Sequence, residues 1–280
     1  MPEVAEVQAH AERLERDFAG CRLATFRPLK FTVLRTVTPP PDAAYGEALE
    51  RVGRRGKYLL LEFPSVTFAV HLMQGGRLLV DPKQSAKPRA GQARFVFEGD
   101  VPALLLTEQG TERKAGVWAL DPATALASPP LDTLGPEAWG ITPELLAERF
   151  ALKHQRLHGF LRDQHMLAGL GRLLANEICH HAKLSPFAMT GSLGAEGART
   201  VAASIEACIE EGLAYERTRP DMSSSKDRPA AVHNRTGEAC PVCGDTVRAV
   251  EYVGYTINYC PTCQTGGKIL ADNTTSKFLK

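Results

Sequence analysis

Cys240-Pro241-Val242-Cys243 and Cys260-Pro261-Thr262-Cys263 are the stretches from which the fold of this chain is read. Two Cys-x-x-Cys knuckles with sixteen residues between them have the spacing of a tetrahedral four-thiolate zinc site, one structural Zn2+ per chain. A pair of disulfides, or four unrelated thiols, would use the same cysteines. The start of the chain lacks the basic-then-apolar pattern of a secretory signal, so a reducing, cytoplasmic setting is expected and metal is preferred to disulfide. Between the knuckles, Val247 to Val253 alternates as a strand does and Tyr255 to Tyr259 can return beside it. The result is a β-hairpin pinned at its open end by the ion.

Working outward, 280 residues with 44% hydrophobic content give room for two domains and a small metal module. No apolar run reaches the roughly eighteen residues of a membrane span, so no membrane partner is expected. Cys21, Cys179 and Cys208 are scattered and read as buried thiols. The net charge is +1, so a polyanion could be held only by basic residues gathered on one face.

The N-terminal segment is expected to be mostly β with a leading helix. Val4, Val7, Ala11, Leu14 and Phe18 form one helical face, and Gly20 stops it. Short strand-like runs follow: Leu23–Phe26, Phe31–Val37, Tyr58–Phe63, Thr67–Leu72, Leu78–Val80, Arg94–Phe97, Ala103–Leu106 and Val117–Leu120. Their punctuation is that of an antiparallel sandwich or barrel. The stretch from Asp121 to Pro136 is rich in Pro, Ala, Ser and Leu and reads as a linker. Beyond it the period turns helical: Glu144–Leu152 behind a Thr142-Pro143 start, then His154–Asp163, Arg172–Ala182 and Ser192–Tyr215. The polar run Arg219–Ala231 reads as a mobile loop. The expected divisions are 1–122, a linker 123–136, a helical domain 137–230 and the zinc segment 231–280.

Gly169-x-Gly171 between two helices fits a helix–turn–helix corner with backbone N–H groups suited to a phosphate, though such a corner is also common as pure structure. Several further segments stand in a familiar order: Pro2-Glu3-x-x-Glu6-Val7, Arg54-Arg55-Gly56-Lys57-Tyr58, His71-Leu72 through Gly76-Arg77-Leu78, Leu161-Arg162-Asp163-Gln164, Ala175-Asn176-Glu177 and the two knuckles. Together they resemble the formamidopyrimidine-DNA glycosylase / endonuclease VIII family of base-excision repair enzymes over nearly the whole chain. The resemblance implies an α+β multidomain fold: an N-terminal β-sandwich with a catalytic helix, a helix–two-turn–helix domain and a C-terminal zinc-finger hairpin.

It also implies roles. After loss of Met1, Pro2 would be a secondary amine that attacks the sugar C1′ of the damaged nucleotide. Glu3 would act as general acid/base and Glu6 would support it. Lys57 and His71 would contact phosphates flanking the lesion. Gly169 and Gly171 would bring backbone to the DNA, which would lie across the cleft between domains. The implied activity is that of a DNA glycosylase with abasic-site lyase action, working as a monomer on damaged duplex or single-stranded DNA.

The chain also departs from the family's pattern. Gln74 stands where the family places an intercalating Met. Met73 is one residue early, which on a strand would face the other way. The family's Arg-x-Phe wedge corresponds to Lys114 and Ala115 with Gly116 behind them; Arg113 is the candidate to fill the base-sized hole. The family's Asn after Gly-x-Gly is Arg172, and its hairpin Arg is Tyr255, so Arg172 is expected to supply the charge the hairpin has lost. The altered clamp and wedge motivate one rival reading, a relative that binds abasic or damaged DNA without turnover; a third reading is a zinc-ribbon interaction protein without a nucleic-acid partner.

Overall fold

The fold was taken from a computed structural model that describes residues 1–86, 88–109, 114–222 and 227–270. The chain forms two compact units, residues 1–134 with 213–225 and residues 135–212 with 226–280.

The first unit opens with α1, Val4–Phe18, behind Glu3 as N-cap. Glu3 and Glu6 form a capping box, and the Glu3 backbone N–H donates to Glu6 Oε2 at 2.7 Å. Two acids here satisfy orphan N–H groups and sit at the positive end of the helix dipole. Gly20, at φ 82°, takes the left-handed turn that ends the helix.

Two four-stranded antiparallel sheets follow. One has the order β1 (Leu23–Pro28), β6 (Gly91–Phe97), β7 (Ala103–Glu108), β5 (Gly76–Asp81). The other runs β2 (Arg51–Arg55), β3 (Tyr58–Glu62), β4 (Thr67–His71), β8 (Gly116–Leu120). Phe26, Phe63, Phe68 and Phe95 fill the core with Val7, Leu14 and Phe18 of α1. The ring pairs Phe26–Phe95 and Phe68–Phe95 have centroids 5.0 and 5.3 Å apart, the tilted and edge-on arrangements that aromatic quadrupoles favour.

One expectation is corrected. Phe31–Val37 is no strand: Phe31 is 99% exposed, and the segment meets β8 at a single parallel bridge, Leu34 beside Val117, with the Thr36 hydroxyl bonded to Ala119 backbone. Conversely, β2 pairs along its length with β3 although only Val52 of its five residues is buried, so it has too little alternation to be read. The segment read as a linker packs on this unit. Ala125, Leu131 and Leu134 pack on Leu60, Ala69 and Leu120 of the second sheet.

The second unit contains α2 (Pro143–Leu152), α3 (Leu157–Arg162), α4 (Arg172–His181) and most of α5, Gly194–Arg217. Thr142 Oγ1 accepts from Leu145 N–H at 3.2 Å, the expected N-cap. The hairpin is β9 (Arg248–Tyr252) and β10 (Tyr255–Tyr259), followed by the short α6, Pro261–Thr265. The polar loop is anchored on both sides of residues 223–226, which lie outside the described part. Met222 is in the sandwich core, and the N–H groups of Ala231, Val232 and His233 all donate to the Glu177 carboxylate at 2.6–3.0 Å. No helix among the described residues is long and apolar enough to cross a membrane.

Candidate functional site

The first candidate site is the N-terminal corner of the sandwich. Pro2, Glu3, Glu6 and Lys57 are all buried, an uncommon concentration of charge inside a protein. Lys57 sits with Gly56 (φ 55°) in the two-residue turn between β2 and β3, and its Nζ lies 3.9 Å from Met1 Sδ. Burial lowers the basicity of the terminal amine below its ordinary 8.0. Glu6 and then Glu3 oppose this, while Arg77 and Lys57 add to it. The amine, two carboxylates and two cations therefore occupy one neighbourhood, and a larger share of the amine is uncharged at neutral pH than for an exposed terminus.

His71 ends β4 in the same region. Burial, then Lys57, then the terminal ammonium push its pKa down to about 4, so it is neutral. His71 Nδ1 faces both the Met73 N–H, at 3.3 Å, and Met73 Sδ, at 2.8 Å. The Tyr58 ring lies 4.5 Å from the His71 ring.

Met73 itself is beyond the end of β4, with φ 52°. Strand alternation therefore does not set its direction, because residues 73–75 form a turn. Side chains at Gly75 and Gly76 would collide with the Gln109 and Leu72 carbonyl oxygens, at 2.1 and 1.9 Å, so two glycines are needed to close the loop. Gln74 occupies that turn. Ala115 is 1% exposed in the core, and its N–H donates to the buried Glu108 carboxylate at 2.6 Å; it cannot reach into a DNA stack. Lys114 is exposed, and Arg113 lies outside the described residues.

The second candidate site belongs to the other unit. Gln164 stitches the turn between α3 and α4. Its Nε2 donates to Arg162 O and Leu170 O at 2.9 and 2.8 Å, and its Oε1 accepts from Gly169 N–H at 3.0 Å. Gly169, at φ 106°, makes the turn, and Gly171 is the N-cap of α4. Asn176, fully buried, donates to His233 Nδ1 at 2.8 Å and to Asn258 Oδ1 at 3.4 Å. Together with Glu177, it ties α4 to the segment before the knuckles and to β10. The Ala175-Asn176-Glu177 motif is therefore a fastening.

The four knuckle thiols lie within 4.8 Å of one another and are not joined as disulfides. They could hold one metal ion. Against the desolvation of its position, the N–H groups of Val242 and Cys243 and the His180 ring hold the Cys240 thiol below its ordinary value, whereas desolvation pushes the Cys260 thiol up to about 11 and raises Cys263 as well. His180 Nε2 is 3.3 Å from Cys240 Sγ. This contact, of the kind that orients metal ligands, has no signal in the sequence.

At the hairpin turn, Arg172 Nη1 donates to Gly254 O at 3.2 Å. The Arg162 guanidinium lies 4.5 Å from the Tyr255 ring centroid, and Tyr255 stacks on Tyr252 at 4.8 Å with 5° between planes. Sequence reasoning misses the places of Arg162 and Tyr252, and that of Arg77 beside the amine. Each is an ordinary surface type whose partner is distant along the chain.

Residues 1–113 match the family model for the formamidopyrimidine-DNA glycosylase N-terminal domain, and residues 134–224 match the H2TH domain of the same enzymes. A formamidopyrimidine-DNA glycosylase of Chloroflexus aurantiacus is 31% identical over 94% of this chain and 98% of its own length. An uncharacterized formamidopyrimidine-DNA glycosylase-like protein of Mycobacterium tuberculosis is 39% identical over 52% of this chain and 94% of its own. The Lactococcus lactis Fpg, solved in complex with DNA containing an abasic site, superposes with a TM-score of 0.83 at 19% identity, covering 94% of this chain and 99% of that one.

Proposed function

Since the chain belongs to the formamidopyrimidine-DNA glycosylase family, we propose that it removes a damaged base from DNA and cleaves the resulting abasic site. The observation that carries this reading is the gathering of buried Pro2, Glu3, Glu6 and Lys57 at the amino end of the chain, with Lys57 Nζ 3.9 Å from Met1 Sδ. With Met1 removed, the Pro2 nitrogen takes the amine's place. It attacks C1′, the glycosidic bond breaks, and its electron pair leaves with the base. Glu3 protonates the sugar ring oxygen as the ring opens, giving a cationic imine at C1′. Loss of a C2′ proton then drives elimination of the 3′ phosphate. Glu6, by accepting the Glu3 N–H, fixes the backbone that sets the position of Pro2.

Lys57 and His71 hold phosphates flanking the lesion, the His71 ring as a neutral donor. Gly169, whose own N–H is taken by Gln164, lets the turn approach the strand, the Gly171 and Arg172 backbone and the Arg172 guanidinium face it, and Lys114 and Arg113 add further DNA contacts. Cys240, Cys243, Cys260 and Cys263 hold a structural zinc, which supplies rigidity to the hairpin and takes no part in bond breaking.

Borohydride trapping tests the reading. The processed, zinc-loaded protein incubated with abasic-site DNA should yield a stable covalent adduct, because hydride reduces the imine to an amine. A full-strength preparation that forms none would rule out the amine mechanism and leave a binding protein.

A further inference from the structure

Just after β1 the chain makes a tight turn that the amine chemistry does not use. The Val33 N–H donates to Lys30 O at 3.2 Å, which leaves Phe31 and Thr32 at the tip. The turn is fastened on both sides. The N–H groups of Leu29 and Lys30 donate to Gln92 O at 2.8 and 3.1 Å, and Val33 is buried in the sandwich core. Phe31 itself is 99% exposed. Turn tips in water ordinarily carry Gly, Asn, Asp or Ser, which supply the backbone shape or a local hydrogen bond. A phenylalanine supplies neither, and departures from a local rule collect where a chain does something besides fold.

Charge around the tip is one-sided, although the whole chain carries only +1. Residues 22–41 hold four basic side chains and no acid, and residues 82–97, which supply Gln92, hold four more and no acid. Arg27 and Lys30 flank the fastened residues on the first run and Arg89 on the second, and all three are exposed. The acids on the bordering strands are occupied. Asp81 pairs with buried Arg94 at 2.8 Å, and buried Glu108 accepts from the Ala115 N–H at 2.6 Å. The tip also stands at the same end of the first unit as the amine corner. Arg35 N–H donates to Val117 O and Val117 N–H to Val33 O, each at 2.8 Å, and the neighbouring Gly116 is opposite His71. On the other sheet, Glu108 N–H donates to Ala90 O and Gln109 N–H to Gly75 O, at 3.0 and 3.2 Å, so the run with Arg89 reaches the turn that carries Met73 and Gln74.

We propose that Phe31, Arg27, Lys30 and Arg89 bind a single-stranded stretch of DNA that continues from the duplex at the corner. One unpaired base stacks on the Phe31 ring, and the adjoining phosphates meet the three cations. A duplex hides the faces of its bases, so a ring in open water stacks only on a base without a partner. Every base has such a face, so the platform selects unpaired DNA and not a sequence. The fastened turn holds the ring in place before the strand arrives, which lowers the ordering cost of binding. This rests on the DNA-binding reading above and adds a preference for lesions beside unpaired DNA, through residues to which the family resemblance gives no role.

The test compares tailed with blunt DNA. Binding of the zinc-loaded full chain is measured to a short duplex carrying a tetrahydrofuran abasic analogue, blunt or with a single-stranded tail of about eight thymidines on each strand end in turn. At least one tail should tighten binding about fivefold or more, the weight of one stacked base. F31A should abolish most of that gain and leave blunt-duplex affinity and the melting temperature unchanged, because the ring is exposed. F31W should retain the gain and F31L should lose it. K30Q and R89Q should each lower the slope of log K against log salt for the tailed DNA by about 0.7, the share of one single-strand phosphate, and leave the blunt-duplex slope as it was. No gain from any tail, or a gain that F31A leaves intact, would overturn the proposal. An F31A loss of equal size on blunt DNA would overturn it too, by assigning the ring to the duplex. Borohydride trapping on the same DNAs separates this outcome from the enzyme reading. Adduct without a tail gain keeps the enzyme and removes the platform, whereas a tail gain without adduct does the reverse.

Discussion

The amine corner and the hairpin turn both gather charge, and they do so in different ways. At the corner, Glu3, Glu6 and Lys57 are buried in one region with Pro2 and a neutral, half-buried His71. At the turn, Arg162 at the end of α3 lies over the Tyr255 ring and Arg172 at the start of α4 donates to Gly254 O. Bond-making needs particular atoms within tenths of an ångström of one reacting carbon, so a substitution there has no equivalent elsewhere. A backbone phosphate is a repeated anion met by any well-placed guanidinium, and the charge can be moved between elements while the phosphate stays held.

The largest effect should come from the corner. Glu3→Gln keeps the capping geometry available but removes the proton donor. Single-turnover base release should fall by about 10²–10⁴-fold, the usual weight of general acid–base catalysis, with affinity for abasic-analogue DNA changed only slightly. A fall in affinity that matches the fall in rate would assign Glu3 to binding and erase the contrast between the two regions.

Metal removal should act on the turn alone. The knuckles and β10 close around Val232, Cys240, Val247 and Cys260, too small a core to stand without its ion. Chelation should therefore weaken DNA binding at least tenfold and flatten the salt slope by about 0.9 for each phosphate no longer held. The acid-melting profile of the sandwich should stay as it was. Borohydride trapping at DNA concentrations high enough to restore binding should persist, and its disappearance would mean that the chemistry depends on the metal.

The acid-melting profile is itself a prediction. Burial first of all lowers His10 and His71 to about 4 and His158 to about 3. A base whose folded pKa lies below the unfolded value of about 6.5 binds fewer protons when folded. Its stabilisation is complete above pH 6.5 and is lost as the pH falls toward 4. His10 is deep beneath the corner, with Nε2 donating to Leu78 O at 2.7 Å, and contributes up to about 3 kcal/mol across that window. His10→Gln should reduce the steepness of melting temperature against pH between 6.5 and 4. An unchanged slope would mean that this imidazole is already protonated in the fold.

What the sequence discloses follows the same division. Helix α1, the hairpin and the cysteines are local patterns: a 3.6-residue period, alternation, paired knuckles. Their bounds are legible to within a residue or two. The register of β2 against β3 is not, since Arg51, Arg54 and Arg55 mask the single buried Val52. Nor is the place of Met73, because where β4 ends depends on Gly75 and Gly76 closing against the Gln109 and Leu72 carbonyls. Arg77 and Arg162 are legible as motif members and not as neighbours of the amine or of Tyr255. Such contacts join residues whose separation no periodicity encodes.

The smallest effect sharpens the comparison most. Tyr255→Phe retains the ring face that carries Arg162 and the stack on Tyr252, so both the salt slope and the melting point should stay within error, about 0.5 kcal/mol. Tyr255→Leu keeps apolar bulk but removes the quadrupole, worth about 0.5–1 kcal/mol at a partly exposed site, and releases the guanidinium from a fixed direction. Its effect should therefore appear mainly as weaker binding at low salt, with little loss of stability. If Phe and Leu behave alike, the ring is filler and the arginine needs no platform. If Leu alone weakens binding, the tyrosine orients a charge carried at the end of α3, and the turn depends on where a cation is held whereas the corner depends on which atoms react.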